Sequence, residues 1–483
     1  MSRVPIRLGY TALIAALWLN AATADERWYR LALDGQPAGH LHEISTREAS
    51  GTRTETEMVL GLDRDGQRLD LRVQSLDLED DTSLRQAQLN ASMAGDHTQV
   101  TVDVEGDHLR VTTTTSAGRY IRQVPISAPP AGPEAIRRET LARLHHSGDQ
   151  FRYTDIQEDT GDPVQVTRTL IDERSGSRAF RIEDRLEYEH RHISAQLDAE
   201  GYLIESIEDS PLGRLVTRRS DESIGESPPV GAHIPVAGSL TLIAPLPNPR
   251  QLQHWVLNLT PLDEPLTPAD FTGPGQSASI SPTNVITLRI AVPGTDAASR
   301  IPPMQADRDP NALFPSDAPD IQRWAHDITS TSDSDQVRIR AIVSAVHLRL
   351  RFDAGFVVAN ALDVLHRGRG TCVAYATLTT ALLRATGLPS RVVYGYVYAD
   401  GALVGHAWTE VWTDAHWRAV DAALYGDDGM DAARIALARS DGAAGLGSGL
   451  EQLARSFGRF TVSVQTTDES PGGTGKPEGT GSH

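Results

Sequence analysis

Residues 359–424 read ANALDVLHRGRGTCVAYATLTTALLRATGLPSRVVYGYVYADGALVGHAWTEVWTDAHWRAVDAAL, and they hold Cys372, the one cysteine in 483 residues. Thiol chemistry needs a thiolate, a base beside it and an acceptor that fixes the base's tautomer. Cys372, His406 and Asp421 can supply all three. Cys372 follows Gly368-Arg369-Gly370-Thr371 and opens a pattern in which Tyr375, Ala376, Thr379, Leu382 and Leu383 recur at helical spacing. That helix should stop at Gly387, two residues before Pro389. A cysteine in a first helical turn sits where free N–H groups and the helix dipole favour an anion, so its pKa should be lowered.

His406 to Trp412 and Ala415 to Asp421 read as two strands rich in Trp and Val, with Thr413-Asp414 as the turn. A loop centred there pairs 412 with 415, 410 with 417, 408 with 419 and 406 with 421. The imidazole then lies across from the carboxylate, which can accept from one ring nitrogen and leave the other for the sulfur. An odd loop would put the two on opposite faces. His416, beside the turn, falls on the other face, so His406 is the better-placed base. Glu410 shares the His406 face and is expected to pair with Arg391.

These residues resemble the transglutaminase-like (papain-like) superfamily. The resemblance is carried by Gly370-Thr371-Cys372-Val373-Ala374-Tyr375-Ala376, by Gly387-Leu388-Pro389-Ser390-Arg391-Val392-Val393, by His406-Ala407-Trp408-Thr409-Glu410 and by Asp421, with looser similarity back to about Pro319. It implies an α+β chain whose C-terminal papain-like domain performs acyl transfer. Cys372 would be the nucleophile, His406 the proton shuttle and Asp421 its orienting group. The Cys372 N–H would be one oxyanion donor, with no Trp or Gln upstream to match as the second. Tyr375 and Trp408, within the same motifs, are candidates for lining the site. No cofactor or metal is implied. Val373 stands where the animal cross-linking enzymes place Trp, and Ala422-Ala423 stand where the family often has Pro-Thr. Both departures favour hydrolysis of a protein or peptide substrate over cross-linking.

Residues 1–24 carry Arg3 and Arg7, an apolar run from Leu8 to Leu19, and Ala22-Thr23-Ala24. They read as a signal peptide cleaved after Ala24, which places the protein in the periplasm or outside the cell. One cysteine cannot close an internal disulfide there, so the thiol stays free. The chain has 45 basic and 64 acidic residues, a net charge of −19. This argues against nucleic acid or anionic lipid as a partner. All the basic residues but Lys476 are arginine.

Residues 25–232 alternate apolar and polar in short runs broken by Asp-Gly turns, as at Leu69-Leu71-Val73 and Val100-Val102-Val104. They read as a large antiparallel β-rich region with one solvated face, interrupted by a helix near 133–145. Residues 233–301 read as a small β module or a continuation of the first, 302–465 as the catalytic domain, and 466–483 as a disordered tail rich in Gly, Ser, Thr and Pro. His145-His146 and His190 with His192 lack a matched ligand set and read as surface histidines. A second class of function stays open: an envelope binding or scaffold protein, acting with a partner, whose thiol domain is relict.

Overall fold

The computed structural model describes residues 24–469 except 65–66, 94–95, 116–117, 158–159, 173–177, 187–190, 211–212, 221–223, 225–230, 234–239, 242–245, 247, 263–264, 293–295, 331–333, 354–359, 400, 425–429, 444, 446 and 457. The expected signal peptide up to Thr23 and the tail beyond Glu469 lie outside the described residues, as do the Asp65-Gly66 turn and His190.

The N-terminal half is one long antiparallel sheet built from sequential hairpins. Strands from Ala24–Leu33 through Gly118–Pro125 pair in chain order, as do those from Gln150–Ile156 through Gly213–Ser220. The two meanders join where Ala24–Leu33 pairs antiparallel with Gly213–Ser220. The first hairpin turns at Asp34-Gly35, both with positive φ (48° and 78°), the backbone that two-residue hairpin loops require. Alternating burial along Ala24–Leu33 buries Tyr29, Leu31 and Leu33 on one face. That face is not wholly apolar. The sheet curves around a cavity of about 470 Å³ bordered by Tyr29, Tyr153, Asp155 and Arg168. Helix α1 (Pro133–Arg143) links the meanders. The buried Glu79 carboxylate caps it by accepting from the N–H groups of Glu134 and Ala135 at 3.1 and 3.3 Å.

The C-terminal half is α+β around one apolar cluster that runs from Leu246 to Val462. Helices α2 (Pro319–Thr329), α3 (Asp335–Arg349) and α4 (Ala361–Arg367) surround α5 (Cys372–Ala385). Helix α5 is buried on nearly every side, from Val373 to Arg384, which explains a sequence apolar all round rather than on one stripe. It ends at Gly387, φ 82°, where Leu388 N–H bonds back to Leu383 and Gly387 N–H to Arg384. The buried Arg384 guanidinium binds the carbonyls of Ser390, Asp309 and Asp441, tying the helix end to two loops. Helix α6 (Gly447–Ser456) closes the other flank.

One sheet here has the order Leu240–Thr241, Ala402–Thr413, Ser390–Ala399, Arg434–Ser440, with His416–Val420 beside Ala402–Thr413. Another joins Gln276–Ile280, Ile286–Ala291 and Leu252–Pro261 to the last strand, Phe460–Glu469. Residues 466–469, which composition assigns to a disordered tail, are therefore strand. Their backbone pairs with residues 252–256 more than 200 positions upstream, a constraint that local composition does not carry. Trp255, Leu257 and Leu259 on Leu252–Pro261 lie in the same apolar cluster as Ile321 and Leu382. The two halves meet where Tyr120, on the last strand of the first meander, donates to Asp317 at 2.6 Å, and where Thr115 bonds Asp363.

Candidate active site

Cys372 begins α5 directly after Thr371, whose extended backbone (φ −79°, ψ 179°) makes it the cap residue. The chain reaches this turn along a short parallel pairing of Arg351–Phe352 with Arg369–Gly370, fixed further by Asp353 N–H on the Gly370 carbonyl at 3.0 Å. Gly368, φ 65°, ends α4 and makes the corner that leads there. Cys372 as a residue is half-buried.

The hairpin after α5 differs in register from the sequence expectation. Its turn is Asp414-Ala415, both with positive φ (51° and 61°), and the pairs are 413 with 416, 411 with 418 and 409 with 420. Every pairing is shifted by two from the expected 406 with 421, because a two-residue loop needs left-handed backbone at both central positions. Asp tolerates that conformation, and Ala415 is held in it. A shift of two preserves the face. Asp421 therefore still reaches His406, diagonally: His406 Nε2 donates to Asp421 Oδ2 at 2.8 Å. This leaves Nδ1 for the sulfur, and the His406 ring faces the Cys372 thiol closely enough that each shifts the other's pKa.

A backbone feature places the sulfur. On one edge of Ala402–Thr413, Leu240–Thr241 pairs with 402–403 and His416–Val420 with 409–413, so residues 404–408 have no strand on that side among the described residues. The Ala407 N–H in that gap acts on the Cys372 thiol and helps to lower its pKa. Burial raises the thiol pKa, but the facing His406 imidazolium and then the Ala407 N–H outweigh it, and the thiol lies below its ordinary value. Burial opposes the charged form of His406 too. Asp421 and the thiolate outweigh it and push His406 up to about 9. The arrangement favours a thiolate–imidazolium pair.

Asp421 is 2% exposed and holds its charge despite burial, facing His406 and then Arg434, whose Nη1 donates to Oδ2 at 2.8 Å. Its Oδ1 accepts from the N–H groups of Ala423 and Leu424 at 2.9 and 3.2 Å, and His347 Nδ1 holds the Ala422 carbonyl at 2.8 Å. The Ala422-Ala423 departure thus leaves a well-bonded turn after the acid. Arg434 stands on Arg434–Ser440, over the Trp408 ring at 5.5 Å. Sequence reasoning passed over Arg434, and nothing local marks it, since its partners are 13 residues upstream and on a neighbouring strand.

The remaining candidates separate cleanly. Trp408 stacks on His406, ring centroids 6.2 Å apart, and buttresses the imidazole. Tyr375 directs its hydroxyl to the Leu350 carbonyl at 2.8 Å, tying α5 to the end of α3. Glu410 binds Arg391 at 2.7 Å, as expected, and also Arg439 at 3.1 Å. His416 lies at the turn, bonded to the Asp414 carbonyl and Arg418, away from the sulfur. His145 bonds the Ala142 carbonyl and His192 bonds Glu183. Among the described residues no group of His, Cys, Asp and Glu is placed to hold a metal ion, and no helix is long and apolar enough to cross a membrane.

Residues 322–422 match the sequence profile of the transglutaminase-like superfamily. The chain is similar to an uncharacterized protein of Mycobacterium leprae, 41% identical over 69 residues that make up 13% of this chain and 25% of that protein. It thus spans about a quarter of the length of this curated relative. Among solved structures, the beta-barrel-like protein with a domain of unknown function from Brucella abortus is 12% identical, covering 43% of this chain and 99% of that one, at a TM-score of 0.32. The periplasmic domain of TgpA from Pseudomonas aeruginosa is 16% identical, covering 39% of this chain and 87% of that one, at a TM-score of 0.27.

Proposed function

We propose, from the match of residues 322–422 to the transglutaminase-like superfamily, that this protein is an exported thiol enzyme that hydrolyses peptide or side-chain amides through Cys372, His406 and Asp421. The observation that carries this reading is the chain of contacts from the Cys372 thiol to the His406 ring, from His406 Nε2 to Asp421 at 2.8 Å, and from Asp421 to Arg434 at 2.8 Å. Each link fixes the next, so the imidazole is held in one tautomer and one orientation.

The Cys372 thiolate attacks the amide carbonyl carbon, and the carbonyl π pair moves onto oxygen. The Cys372 N–H, free at the first turn of α5, faces the position where that charge develops. When the intermediate collapses, the C–N bond breaks and the leaving amine takes a proton from the His406 imidazolium, leaving a thioester. Neutral His406 then deprotonates water, whose oxygen attacks the thioester carbon. Collapse of that second intermediate expels the sulfur and restores the ion pair. Asp421 stays ionised throughout and stabilises the imidazolium. Val373 and Ala422-Ala423 support water over an amine as acceptor, and the Arg3–Ala24 leader pattern supports export to the periplasm.

Iodoacetamide should alkylate Cys372 well below pH 8, faster than a free thiol, and the His406→Ala variant should lose that rate. Incubation with a fluorescent amine and a glutamine-rich acceptor protein tests the choice of acceptor; incorporated label would overturn hydrolysis. A second reading, an envelope binding or scaffold protein that engages a partner, is favoured by the cavity of about 470 Å³ in the N-terminal sheet. Equal, slow alkylation of both variants would decide for it.

A further inference from the structure

The N-terminal sheet curves around a cavity that no step of the thiol chemistry uses: every residue bordering it lies between Arg27 and Ser206. Its volume, about 470 Å³, falls within the range of about 300–1,000 Å³ typical of small-molecule sites. Much of the wall is apolar. Leu89 and Val102 come from the first meander, Ile136 from α1, and Val166, Ile182 and Ala195 from the second. A charge set into such a wall is poorly hydrated, so it needs a partner.

Five acidic residues border the cavity against three arginines, and each arginine is already engaged. Arg168 grips Asp184 with two bonds, Nε to Oδ1 at 2.7 Å and Nη2 to Oδ2 at 2.6 Å, and its Nη1 donates to Thr140. Arg137 holds Glu134 in the same way, at 2.7 and 2.6 Å. Arg27 binds Asp25 and Glu43. The Arg27 and Arg137 guanidiniums also lie over the Tyr202 ring, at 3.6 and 4.6 Å from its centroid.

Asp155 has no such partner. It stands on Gln150–Ile156 two residues after Tyr153, so the two side chains share the face that borders the cavity. Both are half-buried, within reach of water. Among the described residues the Asp155 carboxylate has one hydrogen bond, from the adjacent Ile156 N–H to Oδ1 at 2.8 Å, which leaves Oδ2 open. Burial raises its pKa from 3.8 to about 6, with the Asp184 charge adding to the rise and the Ile156 N–H and Arg168 opposing it. Above that value the cavity holds a carboxylate with no cation of its own.

We propose that this cavity is a binding site for a small organic cation, an alkyl- or arylammonium whose nitrogen donates to Asp155 while its hydrocarbon body fills the apolar space between α1 and the sheet. An anion would meet Asp155 with the bordering arginines already engaged. A neutral ligand would leave the carboxylate unpaired. The adjacent Tyr153 ring adds an aromatic surface beside the charge, which suits an ammonium group.

The test uses the full chain at pH 8, where Asp155 is ionised, and three probes of one chain length: octylammonium, octanol and octanoate. In equilibrium dialysis, wild type should hold octylammonium about tenfold or more tighter than octanol, as one charge-assisted hydrogen bond typically contributes, and octanoate more weakly than either. Asp155→Asn, nearly isosteric, should bring octylammonium within about twofold of octanol and leave octanol binding unchanged. Ala195→Phe, which fills the cavity, should abolish retention of all three, with thermal melts confirming that both variants fold. Equal affinity of wild type for octylammonium and octanol, or retention of neither, would overturn the proposal. So would a preference for octylammonium that survives in Asp155→Asn, since the cation would then sit on the acidic surface. None of these measurements involves Cys372, so failure here and failure of the enzyme reading are separate results.

Discussion

The N-terminal sheet and the C-terminal domain solve the burial problem in opposite ways. In the first, the apolar side chains fall into small clusters, such as Leu89, Val100, Val102, Leu109 and Val111, separated by buried charge pairs such as Arg168–Asp184 and Arg122–Asp162 at 2.6 Å. In the second, one large apolar cluster reaches from Leu246 to Val462, and buried charge pairs gather around Asp421 and around Glu410, with Arg384, Asp307 and Asp363 buried apart from them. Apolar burial is non-directional and tolerates a varied strand order, whereas charge pairs demand particular neighbours. A meander of sequential hairpins supplies such neighbours reliably. The domain with the crossed strand order is the one that sets a pair of buried charges, His406 and Asp421, beside its cysteine.

The comparison breaks most sharply at the catalytic charges. His406→Ala should lower 4-nitrophenyl acetate turnover by on the order of 10³–10⁴-fold, read by stopped-flow absorbance. In the wild type, hydrolysis of an amide substrate should rise as Cys372 ionises and fall again as pH passes about 9, where His406 loses the proton that the leaving amine takes. The sign for stability is the same. The His406 contribution is whole below the free-imidazole value of 6.5 and is lost as pH rises through about 9.

Next in size is the contrast between the cores. Leu382→Ala, in the middle of the large cluster, should cost about 4 kcal/mol by urea denaturation, while Leu109→Ala, in a five-residue cluster, should cost about 2, because a small cluster collapses more easily into the space left. Arg434→Met removes the partner of a carboxylate 2% exposed and should cost about 3 kcal/mol, visible as a lowered urea midpoint. In the N-terminal cavity the pH slope has the same sign but lies lower, at Asp155, which burial raises from 3.8 to about 6. Wild-type stability should fall as pH rises across that window, and Asp155→Asn should lack the fall, matching wild type below pH 3.8 and exceeding it above about 6 in thermal melts. Smallest of all, Ala415→Gly should raise stability by roughly 1 kcal/mol by relieving the positive φ at the turn.

How much of this was legible depended on range along the chain. Helix α5 could be placed from Cys372 to the stop at Gly387 because periodicity and the glycine are local signals. The hairpin gave the correct face for Asp421 and a register displaced by two, because the parity of a strand is local while the turn type depends on which residues accept positive φ. Ala415 has no such reputation. Arg434 and the open edge at residues 404–408 were invisible, since each acquires its meaning from strands that the chain visits out of order. The joining of Phe460–Glu469 to Leu252–Pro261 was hidden for the same reason.

The gap at residues 404–408 carries a lasting implication. Part of what lowers the thiol pKa comes from the main-chain N–H of Ala407, and main-chain donors are indifferent to which side chain a codon specifies. Among ordinary point mutations at that position, only proline can erase it. The anchoring of the nucleophile is thus largely shielded from genetic drift, while the imidazole and its acid remain fully exposed to it.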